Sequence, residues 1–269
     1  MKHEAGKSQH VDALGTPILS SGQRYLLAVV SILGTLCLWQ LATAAGWINE
    51  VLLPSPADVI KALIGSILDG SLFRYIAASL LRVVEGFLLA TAIAVPLGIT
   101  MGVSRTVFGL IDPLLELLRP IPPIAVIPLT ILWFGIGELS KVLLIAYGAF
   151  FPVLVNTIAG FREVERVHVH AAQALGANRY HIFRDVVLRS ALPFIIVGAR
   201  LGMGMAFIVL VAAELIASNA GLGFMINDAR YNFRTDQMFV GMACIGILGL
   251  ALNLFLLKIE GRLLRWKTA

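Results

Sequence analysis

From Leu26 to Ala45 the chain runs twenty residues without a charged side chain. As a helix, such a run spans about 30 Å, the thickness of bilayer hydrocarbon. Equally uncharged stretches follow at Val142–Gly160, Leu192–Ala199 and Leu201–Ala213. With 58% hydrophobic and 14% charged residues, the composition excludes an ordinary water-soluble core. The runs are too long for barrel strands and lack period-two alternation. The expected fold class is therefore all-α and transmembrane. Eleven prolines and 25 glycines fit it, because membrane helices tolerate kinks and use small residues for close packing.

Six spans are expected. The first 24 residues are polar and read as a cytoplasmic tail; the transmembrane domain covers 25–258 and a basic tail covers 259–269. The first apolar run is too long and too late for a secretory signal and reads as a retained span. Span 1 is Leu26–Ala45. The segment LLPSPADVIKAL begins a helix at Ser55-Pro56, and a second amphipathic piece covers Leu72–Leu81; both read as surface helices. Span 2 is Val83–Gly102. Residues 108–135 hold Pro113, Pro120, Pro122, Pro123 and Pro128, more than a straight helix accepts. Two helices with a break at Arg119–Pro123 are expected, in a place where protein buries the broken backbone or a cavity receives it. Spans 4 to 6 are Lys141–Ile158, Leu192–Ile216 and Met238–Leu257.

Lysine and arginine set the orientation. With both termini in the cytoplasm, the inner segments hold roughly twice as many as the outer ones. The outer set is Lys61, Arg74, Arg82, Lys141, Arg230 and Arg234. The polar interruption at 160–190 then faces the cytoplasm. It has helix formers at Ala171–Leu175, a stop at Gly176 and a second helix over Asn178–Val187. The small pair Ala171-Ala172 suits insertion into a partner's cleft. An ordinary structured loop is the competing reading.

At this loop the chain resembles the permease subunit of bacterial ABC importers of the binding-protein-dependent type. The family pattern is Glu-Ala-Ala, three residues, Gly, nine residues, an aliphatic, one residue, Leu-Pro. Here it reads His170-Ala171-Ala172, Gly176, Val186 and Leu188-Arg189, so His and Arg replace Glu and Pro. The segments RPIPPIAVIPL, HAAQALGA and GLGFM resemble the nitrate, sulfonate and taurine branch. The resemblance implies a six-span type I importer fold with a cytoplasmic coupling helix in the bacterial inner membrane. It implies a second copy of the chain, two cytoplasmic ATPase subunits and a periplasmic or lipid-anchored binding protein as partners, with no nucleic acid. Contact with the ATPase falls on His170, Ala171, Ala172, Leu175, Gly176, Ala177 and Arg179. ATP and Mg belong to the ATPase subunits, and this chain is expected to be no enzyme and to hold no cofactor. The implied cargo is a small oxyanion, taurine or an alkanesulfonate before nitrate.

The chain has no phosphate-binding glycine loop with Lys-Ser or Lys-Thr. Cys37 and Cys244 sit in apolar runs, and the five histidines form no zinc motif. Ionisable groups at membrane depth are costly and mark protein-lined or wet paths. Arg119, at the break, is the leading pathway residue, joined by Met203, Phe207 and Glu214. Arg119 has Glu116, Glu85 and Glu214 as candidate partners, and Arg200 has Asp112 and Glu116. Gly198 and Gly202 suit close helix contact, across a dimer axis or within the subunit. Ser218, Asn219 and Asn227 are assigned to outer loops that meet the binding protein. A membrane-embedded enzyme would need a nucleophile or metal cluster, and a secondary transporter often shows an inverted repeat; neither is visible.

Overall fold

The computed structural model describes residues 21–264. The chain divides into two compact units, Met1–Lys61 and Ala62–Ala269. Every regular element among the described residues is helical.

In the first unit, α1 (Ser21–Ala44) is followed by a loop that folds back on it. The Trp39 indole N–H donates to Pro54 O at 3.0 Å. Ser55 starts α2 (Pro56–Leu68) as a reciprocal cap. Its Oγ accepts from the Asp58 N–H at 3.2 Å and its hydroxyl donates to the Asp58 carboxylate at 2.6 Å. The Ser55 hydroxyl, first, and then Lys61 hold the Asp58 carboxyl below its ordinary value.

The second unit contains α3 (Ser71–Val103), α4 (Arg105–Leu118), α5 (Pro123–Phe134), α6 (Glu138–Arg162), α7 (Arg166–Ala174), α8 (Arg179–His181), a π-helical turn (Ile182–Val187), α9 (Leu188–Ala217), α10 (Leu222–Tyr231) and α11 (Thr235–Leu263). Helix α6 forms its centre and packs on both α3 and α9. Glycines set these contacts. A Cβ on Gly86 would meet Ile145 at 2.6 Å, and one on Gly98 would meet Thr157 at 2.7 Å. Gly198 and Gly202 face Asn156 and Val153 of α6, so this pair serves packing within the subunit.

By length and composition, α3, α6, the continuous helix Arg179–Ala217 and α11 suffice to cross a membrane. Helices α4 and α5 are apolar enough only when taken together, and the pair is bent by 94° at the break. In α1 the apolar part is shorter, Val29–Ala44. The proline-dense stretch therefore breaks where the sequence requires.

Three expectations need correction. Leu72–Leu81 is the first part of the 33-residue α3, not a separate surface helix. Arg82 does not end the span, because acids on other helices satisfy it. The helix expected from Leu192 begins instead at Arg179, and Pro193 lies inside it. Preceding that proline, the π turn shifts the bonding register, with the Leu188 N–H donating to Phe183 O. Finally, the segment after Ala217 contains α10, and α11 continues to Leu263, into the region assigned to the tail. The remaining tail assignments, at 1–20 and 265–269, lie outside the described residues.

Candidate functional site: a cationic cavity between two specialised ends

The end of the second unit where α6 begins holds a buried charge cluster. Arg82 is 4% exposed and uses both edges of its guanidinium. Nε and Nη2 donate to the Glu138 carboxylate at 2.5 and 2.8 Å, while Nη1 donates to Glu214 Oε1 and Ala220 O, each at 2.6 Å. Lys141 adds a 2.9 Å contact to Glu138. Glu214, whose side chain is fully buried, also accepts from Ser79 Oγ at 2.8 and 2.9 Å and from the Gly223 N–H at 2.9 Å. Ser79 Oγ in turn accepts from the Leu222 N–H at 2.8 Å. A Cβ on Gly221 would collide with the Glu214 carboxylate, which explains a glycine at φ +116° there. The cluster joins α3, α6 and α9 to the start of α10.

Sequence reasoning counted Arg82 and Lys141 among the charges of the outer segments; both are buried in helices. Glu214 belongs to this cluster and not to the lining of the cavity described next.

Between the ends, α6, α9, α11 and the α4–α5 break enclose an open cavity of about 710 Å³. Its apolar wall includes Phe151, Pro152, Val155, Leu201, Met205 and Ile208. Its polar groups are Arg119, Arg200, Asn156 and Asn253, so the lining carries two guanidiniums and no carboxylate. Arg200 pairs with neither Asp112 nor Glu116. Its Nε donates to Asn253 Oδ1 at 3.1 Å, and Nη1 lies 3.7 Å from Glu260 Oε2. The side chain of Arg119 makes no hydrogen bond or ion pair among the described residues; Glu116, Glu85 and Glu214 leave it unpaired. Met203 and Phe207 line a smaller cavity of about 150 Å³, which shares Arg200, Gly204 and Asn253 with the large one.

The break that presents Arg119 is held by Tyr147 of α6. Its hydroxyl faces Leu118 O at 3.0 Å and Ile121 O at 3.2 Å, two carbonyls at the helix interruption. Sequence reasoning missed Tyr147, Asn156 and Asn253. Arg200 was noticed only as an ion-pair partner.

The opposite end carries α7. No residue of α7 is buried, and Leu175 beyond it is 88% exposed, with Val167 and Tyr180 also open. His170 Nδ1 lies 3.3 Å from Gln173 Oε1. The helix closes at Gly176, φ +81°, where the Ala177 N–H reaches Ala172 O at 3.0 Å. Asn178 caps α8 by accepting the His181 N–H at 2.9 Å, with Arg179 exposed beside it. Ala171 is exposed and Ala172 half-buried. Arg189 faces Asp185 at 3.6 Å. Near α10, Asn219 is exposed, Asn227 is half-buried, and Ser218 turns its hydroxyl to Ala220 O at 2.5 Å. Among the described residues, no group of three or more His, Cys, Asp or Glu has metal-ligand placement.

An open cavity among helices long and apolar enough to cross a membrane defines an all-α membrane protein. Residues 94–266 match the family described as binding-protein-dependent transport system inner membrane component. The chain is 40% identical over 245 residues to the taurine transport system permease protein TauC of Escherichia coli (strain K12), covering 89% of each. It is 38% identical over 234 residues to the putative aliphatic sulfonates transport permease protein SsuC of Bacillus subtilis (strain 168), covering 87% of this chain and 85% of that one. Its fold is similar to a chain in a structure of inward-facing conformations of the MetNI methionine ABC transporter. That match has a TM-score of 0.61 at 20% identity and covers 73% of this chain and 97% of that one. The chain belongs to the permease subunits of binding-protein-dependent ABC importers, in the nitrate, sulfonate and taurine branch. It is thus a multi-pass membrane subunit that is not itself an enzyme.

Proposed function

We propose that the 710 Å³ cavity is one wall of a pathway for a small organic sulfonate, completed by a second copy of the chain. The observation that carries this reading is the pairing of Arg119 and Arg200 with no acid in the lining. Guanidinium groups in a partly dehydrated passage favour an oxyanion through charge and forked hydrogen bonds. The apolar wall favours an anion with a hydrocarbon part over bare nitrate. Relatives that carry taurine or aliphatic sulfonates in their names support the same class. Met203, Phe207 and Glu214 act from behind this wall, the first two by packing and the last by fixing the end of α9.

The remaining assignments complete the cycle. Helix α1 supplies the sixth span, and both termini lie in the cytoplasm. Two ATPase subunits receive α7 through His170, Ala171, Ala172, Leu175, Gly176, Ala177 and Arg179. A binding protein outside delivers the anion near Ser218, Asn219 and Asn227. The apolar side chains of Val167 and Leu175 support docking, since they stand 72% and 88% exposed.

Flux of a taurine-class sulfonate into vesicles containing the assembled transporter, compared with nitrate, tests the cargo. Sulfonate flux that falls in R119Q while assembly is intact supports the reading; equal flux sinks it. Impermeant thiol reagents test the orientation. H181C should label only from the cytoplasm and N227C only from outside, and labelling of both from one side refutes it.

A further inference from the structure

Where α3 and α6 finish, at the α7 end, a separate cavity of about 420 Å³ is lined by Arg105, Arg162 and Arg166 above Met101, Phe161 and Val164. We propose that it binds the phosphate of an anionic lipid headgroup.

Charge is the first support. Three guanidiniums converge on one space whose lining includes no acid. Arg162 lies over the Phe108 ring at 3.5 Å, a contact that leaves its charge uncompensated. Arg105 and Arg166 have no side-chain ion pair or hydrogen bond among the described residues. Glu165, next to Arg166, is 3.8 Å from His168 instead. Like charges gathered this way repel unless an anion joins them, and phosphate oxygens match the guanidinium fork.

Local backbone adds to the field. Ser104 caps α4 by accepting the Val107 N–H at 3.3 Å, and Arg105 opens that helix. The positive end of the α4 dipole therefore lies beside the arginines.

Depth identifies the source of the phosphate. Met101 and Arg162 lie in the last turns of two helices long and apolar enough to cross a membrane, which puts the cavity toward one membrane surface. Lipid phosphates occupy that level, and basic sites between helices there receive anionic headgroups. The floor is fixed by close approach: a Cβ on Gly102 would stand 2.5 Å from Phe161 Cβ. Arg162 ends α6 and Arg166 opens α7, so one bound headgroup ties the docking helix to the bundle.

The test uses the full-length chain in phosphatidylcholine nanodiscs doped with phosphatidylglycerol, with retained lipid counted by native mass spectrometry. The wild type should retain phosphatidylglycerol selectively. Each arginine lost from the cavity should weaken retention roughly fivefold, from about 1 kcal/mol per basic residue near an anionic surface. R105Q/R166Q should therefore lose selectivity, while R105K/R166K keeps part of it. R179Q/R184Q removes the same charge from α8 and the π turn and should leave selectivity intact. Equal loss in R105Q/R166Q and R179Q/R184Q, or no preference over phosphatidylcholine, overturns the proposal. Loss of the retained lipid on adding the ATPase subunits assigns the cavity to that partner and also overturns it. A parallel arm adds inorganic phosphate to nanodiscs of phosphatidylcholine alone. Thermal stabilisation of wild type but not R105Q/R166Q, without retained phosphatidylglycerol, overturns the lipid source in favour of free phosphate.

Discussion

Two arginines, Arg82 and Arg119, lie in the same helical unit and have opposite surroundings. Arg82 is buried, shared between two carboxylates and a carbonyl, and enclosed by four elements. Arg119 faces an open cavity and has no partner among the described residues. The first arrangement uses its charge up inside the protein; the second leaves it available to a visitor. The contrast separates a charge satisfied inside the bundle from one that lines an open cavity, although both residues look equally anomalous in an apolar sequence.

The largest effect should come from breaking the satisfied charge. R82A strands Glu214 without its cation, and losing one member of a buried pair costs about 3–5 kcal/mol. The yield of folded protein and the melting temperature in detergent should both collapse. A wild-type melt for R82A would remove the structural half of the contrast.

Next comes docking. A171D or A172D places bulk and charge on α7, so pull-down of the ATPase subunits should be lost while membrane insertion persists. Unchanged capture and unchanged transport for both variants would exclude α7 from the contact.

R119Q follows. Loss of one charge-assisted contact of about 1.5–3 kcal/mol predicts a fall in flux of roughly tenfold or more. The melting temperature should barely change, because the Arg119 side chain has no partner among the described residues. R119K should recover part of the flux. Destabilisation of R119Q as severe as that of R82A would erase the distinction between the two arginines.

Smaller effects sharpen the boundary. Y147F removes the hydroxyl from the carbonyls at the α4–α5 break and should cost about 1 kcal/mol, read as a modest drop in melting temperature. S55A removes the cap of α2 and should cost about 1 kcal/mol. Asp58 has a depressed value in the folded protein, so its contribution is present above the unfolded aspartate range. That contribution is lost as pH falls through the folded value. Melting of S55A and wild type should therefore converge in acid.

Sequence reading found what local pattern encodes. Charge-free runs identify α6 and α11, proline density identifies the α4–α5 break, and Gly176 marks the end of α7. It failed where a residue's state depends on distant partners. Arg82 reads as the charge that ends a surface helix until Glu138 and Glu214, 56 and 132 residues away, are brought to it. That error also shortened α3, because an unpaired arginine ends an apolar run. Tyr147 meets the broken backbone across 29 and 26 residues, and no periodicity announces that contact. Among the polar residues lining the large cavity, Arg119 was legible from its place at the break. Asn156 and Asn253 were not, since an isolated amide in an apolar run carries no signature of what it faces.

The uninterrupted helix from Arg179 to Ala217 behaves as a beam with unequal arms. At ~1.5 Å per residue its 39 residues span about 58 Å. The ionic cluster holds it at Glu214, and Gly198 and Gly202 seat it on α6, leaving a short arm toward Ala217 and a long one toward Arg179. The π turn at Ile182–Val187 lies on the long arm, outside that seat, so a sideways load at Arg179 bends the helix there before it reaches the cavity.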